Sequence, residues 1–300
     1  HARYEAAYDL ALKGYRALTV RNFHPESGES AYVLGLVAEA LLREEEALDW
    51  YQNAAWNQDA GSRAMTRIAR IDGRQGSYAA METHAQKALK ANPGNAQAAA
   101  LLACSLTHLG RQEEAQSQLD ALLTADPMDH LAYILRFGTQ GLYERFHSDP
   151  CQNALDLAGD LCGMGETELA YKLLDGLCEK CAMAGYVLDD LARKLNKAPA
   201  ENASLLPVGI AYPLRPFEIR ALQSALHRNP KDAKAQDLLA CVRYHMGSAE
   251  EAAALWEAAI RNDPGAYAPY RNLAAACYSC LNRREEALSL LKEALARHPH

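Results

Sequence analysis

The sequence predicts an all-α chain, a right-handed α-solenoid of stacked helix-turn-helix hairpins, on three observations. Asn-Pro or Asp-Pro pairs recur at a fixed spacing, small residues recur at fixed distances before them, and glycine falls between paired helical stretches. The dipeptides are Asn92-Pro93, Asp126-Pro127, Asn229-Pro230 and Asp263-Pro264, with Pro93 and Pro127 34 residues apart and Pro230 and Pro264 also 34 apart. Each closes a similar stretch, His84 to Pro93, Gln118 to Pro127, Leu222 to Pro230 and Leu255 to Pro264. Proline disfavours helical geometry in the residue before it and cannot continue the helical ladder, so each pair marks a helix end.

Counted from the start of each unit, the recurring pattern is a small residue at 8 and 20, a bulky one at 24, Ala at 27 and Pro at 32, with Met81 standing at 20 in the second unit. The unit from Gly28 has Gly35, Ala47, Tyr51 and Ala54, with Asp59 where proline is expected. The unit from Ser62 has Ala69, Met81, Ala88 and Pro93, and that from Ala96 has Ala103, Ala115, Leu119 and Pro127. The unit from Cys151 has Ala158, Ala170 and Leu174, and that from Ala233 has Ala240, Ala252, Trp256, Ala259 and Pro264. The last has Ala274, Ala287, Leu291, Ala294 and Pro299. Two antiparallel helices cannot bury their apolar faces alone, so hairpins must stack, and small residues let the paired helices approach. Gly110, Gly165 and Gly247 fall between the two helices, where a left-handed residue is wanted.

This unit resembles the tetratricopeptide repeat. The chain reads as one array over 1–300: a partial leading hairpin at 1–27, three regular repeats over 28–129, a degenerate hairpin at 130–150, a repeat at 151–181, a hairpin with a Pro-rich insertion at 182–230, and two regular repeats over 231–300. The insertion holds Pro199, Pro207, Pro213 and Pro216, which exclude a continuous helix. Longer motifs, NAAWNQDAGSRAMTRIA, ALDLAGDLCGMG, the stretch from Tyr212 to Gly247 and APYRNLAAACY, resemble the carboxy-terminal half of a bacterial family of unknown function. In that family β-rich amino-terminal domains precede a tetratricopeptide array, in the neighbourhood of carbohydrate-metabolism genes. The resemblance implies that this chain is a piece of a longer protein, an expectation shared by its start at His1 without methionine.

Hydrophobic residues make up 49% of the chain and charged ones 23%, which is enough apolar material for an ordered core. The formal net charge of −7 argues against nucleic acid, whose partners carry a basic stripe. No run approaches the roughly 18 apolar residues of a membrane span. Together with an opening His1 to Tyr8 that has neither a charged nor an apolar leader region, this reads as a cytoplasmic location, and the eight cysteines scattered through helical patterns read as reduced thiols. Cys178-x-x-Cys181 and Cys277-x-x-Cys280 have the spacing of half a zinc site or a redox pair, but packing is the better reading, since neither has the second pair or strand-helix junction those sites need. The histidines share no His-x-x-x-His spacing, and there is no P-loop, nucleophile elbow or dinucleotide-binding glycine pattern. No metal, cofactor or catalytic residue is assigned.

One charged pattern stands out. Arg63, Arg67, Arg70 and Arg74, at intervals of four, three and four, form one stripe on a first helix. First helices line the concave surface in tetratricopeptide arrays, so the resemblance implies a groove-facing stripe able to hold a carboxylate or phosphate. A solvated face balanced by neighbouring acidic helices is the competing reading. The expected binding residues are Tyr32, Arg63, Arg67, Arg70 and Arg74, with Tyr244 and Arg271 further on. The expected role is a non-catalytic scaffold for a protein or peptide partner, acidic in character, for its own amino-terminal domains, or for a second copy. The alternative is a helical accessory part of a carbohydrate-active enzyme whose catalytic domain lies before residue 1.

Overall fold

The computed structural model describes residues 4–20, 25–178, 180–198, 202–209, 213 and 215–297. Pro199, Pro299 and part of the insertion at 197–216 lie outside the described residues. Those described hold sixteen α-helices and no strand, so the fold is all-α. They fall into two compact units that divide after Gly176.

The amino-terminal unit begins with a single helix, α1 (Tyr4–Thr19), followed by hairpins α2–α3 (Glu29–Ala40, Glu44–Ala54), α4–α5 (Gln58–Arg74, Tyr78–Ala91) and α6–α7 (Ala96–His108, Gln112–Ala125). A short α8 (His130–Phe137) precedes a single 3-10 turn at Tyr143–Arg145, and α9–α10 (Pro150–Gly163, Thr167–Asp175) completes the unit. The carboxy-terminal unit holds three hairpins, α11–α12 (Ala182–Lys194, Pro216–Arg228), α13–α14 (Ala233–His245, Ala249–Asn262) and α15–α16 (Tyr267–Ser279, Arg284–Arg297).

The small positions are where helices meet. Ala69, Ala103, Ala158, Ala240 and Ala274 on first helices are buried, as are Ala47, Ala115, Ala170, Ala252 and Ala287 on second helices. At Gly35 a Cβ would lie 2.5 Å from the Tyr51 ring, so the bulky position-24 side chain fills the space that glycine leaves. Tyr51, Leu119, Leu174 and Trp256 occupy that position in the cores, whereas Leu291 on α16 is exposed.

A four-residue junction joins one hairpin to the next in four places. The residue before proline takes extended geometry at Asn92, Asp126, Asn229 and Asp263, with φ of −144°, −135°, −130° and −136°. Its side-chain oxygen accepts from the amide two residues on, at Gly94, Met128, Lys231 and Gly265. Three residues on, Asn95, Asp129 and Asp232 cap the next helix by accepting from the N–H of Ala98, Ala132 and Ala235. In the fourth junction Ala266 stands where the others have the capping side chain.

The turn inside four of the hairpins is equally regular. Gly76, Gly110, Gly165 and Gly247 have φ of +71°, +80°, +93° and +81°, and the next residue donates its N–H to the carbonyl five residues back, as Arg111 does to Leu106. Leu42 takes the same position with φ +63°, at a steric cost of about 1 kcal/mol for a side chain there.

Six of the eight cysteines are free thiols: Cys104, Cys162, Cys178, Cys241, Cys277 and Cys280. Cys151 and Cys181 are not among the free thiols, so the expectation of eight reduced thiols does not hold for all eight. No described helix is long and apolar enough to cross a membrane.

Candidate functional site

The arginine stripe lies along α4, as its spacing requires, but it is paired over its whole length. Arg63 meets Glu29 and stacks its guanidinium 4.7 Å from the Tyr32 ring centroid. Arg67 lies 3.7 Å from Glu39, and Arg74 binds Glu39 at 3.1 Å and Glu44 at 2.9 Å. Arg70 lies 3.6 Å from Asp160 on α9. Acidic side chains of α2, of the start of α3 and of α9 thus neutralise the stripe, so it does not present four free cations.

Arg70 also departs from the expected exposure: its residue is only 9% exposed. Burial pulls its guanidinium below the ordinary arginine value, and its Nε has no hydrogen-bond partner among the described residues. The cause is the degenerate hairpin. With α8 short and its partner reduced to one turn, α9 packs against α4 as well as α8. Three glycines make that approach possible. A Cβ on Gly163 would overlap the Arg70 guanidinium, one on Gly73 would fall 2.4 Å from the Met164 carbonyl oxygen, and one on Gly165 would fall 2.3 Å from the Gly73 carbonyl oxygen. The carboxy-terminal part of α4 is therefore covered by the α9–α10 corner, while Arg63 and Tyr32 remain at its open end.

In the carboxy-terminal unit, Tyr244 on α13 bonds Ser279 through its hydroxyl at 2.7 Å and sets its ring 5.7 Å from that of Trp256. Arg271 on α15 is exposed, contacts Asn272 Oδ1 at 3.1 Å and lies over the Tyr267 ring. Each arginine of the α4 stripe has a carboxylate within 4.0 Å; among the described residues Arg271 has none. Beside these two sits a polar cluster that repeat counting does not single out. The buried Asp237 carboxylate accepts from Trp256 Nε1 at 2.9 Å and Asn272 Nδ2 at 3.2 Å, and Asn272 also reaches Cys241 Sγ at 3.6 Å. Desolvation raises the Asp237 carboxyl above the ordinary aspartate value and pushes the Cys241 thiol up to about 12.

A second cluster was missed for a definable reason. Cys104 and His108 are four apart on α6, and both face Glu166 in the α9–α10 turn: Cys104 Sγ lies 3.1 Å and His108 Nε2 2.5 Å from the same carboxylate oxygen. The three donor atoms lie within 4.8 Å of one another, which makes them the one set of at least three metal-capable side chains among the described residues. A search for paired histidines passes over a Cys-x-x-x-His spacing, and Glu166 lies 58 residues from His108 in sequence. Of the Cys-x-x-Cys pairs, Cys277 is buried in the core beside Trp256 and Cys280 is exposed. The described part of the insertion packs on its own unit, where Ala182 N donates to the Pro207 carbonyl at 2.7 Å and a Cβ on Gly185 would meet Leu206 and Ala203.

Among solved structures, the chain is similar to MamA at 18% identity, covering 80% of this chain and 93% of that one with a TM-score of 0.26. It is also similar to YrrB, described as a tetratricopeptide protein with an unusual peptide-binding site, at 20% identity over 72% and 92% of the two chains with a TM-score of 0.31. A third is a thermophilic tetratricopeptide protein of Thermus thermophilus, at 19% identity over 79% and 92% with a TM-score of 0.25. Two family models, each described as tetratricopeptide repeat, match residues 84–117 and 219–267. The glycine turns at Gly76 and Gly165 and the buried small residues Ala69, Ala158 and Ala274 repeat the pattern outside those matches, and the fold is an all-α array of stacked tetratricopeptide-like hairpins.

Proposed function

We propose that the chain is a non-catalytic scaffold whose carboxy-terminal unit binds an acidic protein segment along α13 and α15. The observation that carries this reading is the contrast between arginines. Those of α4 are matched by carboxylates of their own unit within 4.0 Å, whereas Arg271 is exposed, has no carboxylate within that distance among the described residues, is offset only at longer range by the buried Asp237, and lies on the same hairpin array as Tyr244. Arginine offers paired hydrogen bonds to a carboxylate and tyrosine a rigid amphipathic surface, the chemistry that dominates interface energetics. Tyr32 and Arg63 at the open end of α4 form a weaker second candidate, because Glu29 already holds the guanidinium. The resemblance to bacterial chains with β-rich amino-terminal domains makes such a domain a natural partner to try beside free peptides.

Fluorescence anisotropy with a labelled Glu- and Asp-rich peptide, its phosphorylated form and a neutral peptide of equal length tests the reading. Preference for the charged peptides is expected, with Arg271→Ala weakening them about tenfold, the equivalent of ~1.4 kcal/mol. Equal affinity of Arg271→Ala and the parent chain would sink the assignment.

A further inference from the structure

We infer that Cys104, His108 and Glu166 form a zinc site that ties α6 to the α9–α10 turn. One carboxylate oxygen faces a thiol at 3.1 Å and an imidazole nitrogen at 2.5 Å, and all three donor atoms lie within 4.8 Å. A sulfur, a nitrogen and an oxygen form a mixed set of the kind that selects a borderline-soft ion, since calcium and magnesium take oxygen ligands alone. With bonds of about 2.0–2.3 Å, a tetrahedral zinc holds its donors roughly 3.3–3.5 Å apart. The sulfur–oxygen pair is close to that spacing. The imidazole and carboxylate must separate by somewhat less than about 1 Å, a movement open to the two side chains that retain solvent exposure. Water completes the fourth position.

The surroundings hold the ligands in place. His108 stacks flat on Tyr78, with ring centroids 3.8 Å apart and planes 6° from parallel, which fixes the plane of its ring. Glu166 follows Gly165, whose left-handed φ of +93° turns the chain toward α6, and its amide is held by the Leu161 carbonyl at 2.9 Å. Cys104 is 3% exposed whereas the His108 side chain is 34% exposed, so an ion enters from the histidine side and reaches a sulfur shielded from oxidants. Zinc takes the sulfur as thiolate, so the thiol proton must leave. Binding then replaces the S–H bond by an S–Zn bond and releases one proton to solvent. The bound ion would cross-link residues 62 and 58 positions apart, on the same side of the unit as the Gly73–Gly165 contact.

Titration of the reduced, chelator-washed chain with cobalt(II) reads the site directly, because thiolate coordination produces a sulfur-to-cobalt charge-transfer band. Saturation at one equivalent is expected, with displacement of the band by zinc and an upward shift of the thermal midpoint that EDTA reverses. Cys104→Ser should abolish the band, and Glu166→Gln should weaken zinc at least about tenfold, the cost of losing even an outer-shell partner. Cys178→Ser and Cys280→Ser, which alter exposed thiols, should leave the band unchanged. No band in the parent chain, or a band that survives in folded Cys104→Ser, overturns the assignment.

Discussion

Gly165 and Gly73 meet backbone to backbone: a Cβ added to Gly165 would stand 2.3 Å from the Gly73 carbonyl oxygen, closer than such atoms approach. Gly165 also has φ of +93°, so its lack of a side chain answers two requirements at once.

Gly165→Ala should therefore cost more than the same change at Gly110. Gly110 has a similar φ of +80° but nothing within 4 Å of its added Cβ, so only the conformational cost of about 1 kcal/mol applies there. Gly165→Ala adds overpacking of a further ~1–3 kcal/mol. Urea denaturation of the two variants measures the difference, and equal midpoints would mean that α4 and the α9–α10 corner do not close as described.

Arg70 and Arg63 should behave oppositely although they belong to one stripe. Arg63→Ala removes an exposed pair and should cost less than about 1 kcal/mol. Arg70→Ala empties a filled space beside Gly163 and should cost about 2 kcal/mol, below the usual range for a broken buried pair because Asp160 keeps access to water. Arg70→Met, which keeps the volume without the charge, should recover most of that loss. Chemical denaturation checks all three, and a neutral Arg70→Ala would return the residue to the surface.

Asp237 gives a pH signature of defined sign. Burial raises its folded carboxyl above the ordinary aspartate value of about 3.9. Between that value and the raised one, the folded state holds a proton that the unfolded chain has lost. Stability from this group is thus present at low pH and falls as pH rises through the window. Asp237→Asn should flatten that fall while keeping an oxygen for Trp256. Thermal midpoints followed upward from about pH 4 compare the two proteins, and parallel profiles would remove Asp237 as the source.

The hairpins were legible because their determinants are local. Asn-Pro and Asp-Pro ends, turn glycines and the small positions at Ala240 or Ala252 act within one unit, so a 34-residue count finds them. The closure of α9 on α4 was not, because it depends on contacts between residues 89 positions apart, such as Arg74 with the Gly163 carbonyl. Spacing put Arg70 on a face of α4 but could not say that Asp160 and Gly163 would cover it. For the same reason Gly165 reads only as a turn residue, and Cys104 and His108 as unrelated side chains, until the turn carrying Glu166 is set against α6. Tyr244 and Arg271 were identified by position on first helices, yet the buried Asp237–Trp256–Asn272 cluster beside them was passed over because each member occupies an ordinary repeat position.

The junction at Ala266 can be read as a matter of supply and demand for protons in hydrogen bonds. In the three capped junctions the side-chain oxygen of Asn95, Asp129 or Asp232 serves the amide three residues later, at Ala98, Ala132 or Ala235. Three residues after Ala266 stands Pro269, which has no amide proton. Donor and acceptor have been deleted together, so this helix start has nothing to cap at that position, and an oxygen-bearing residue at 266 would find no partner at the usual place.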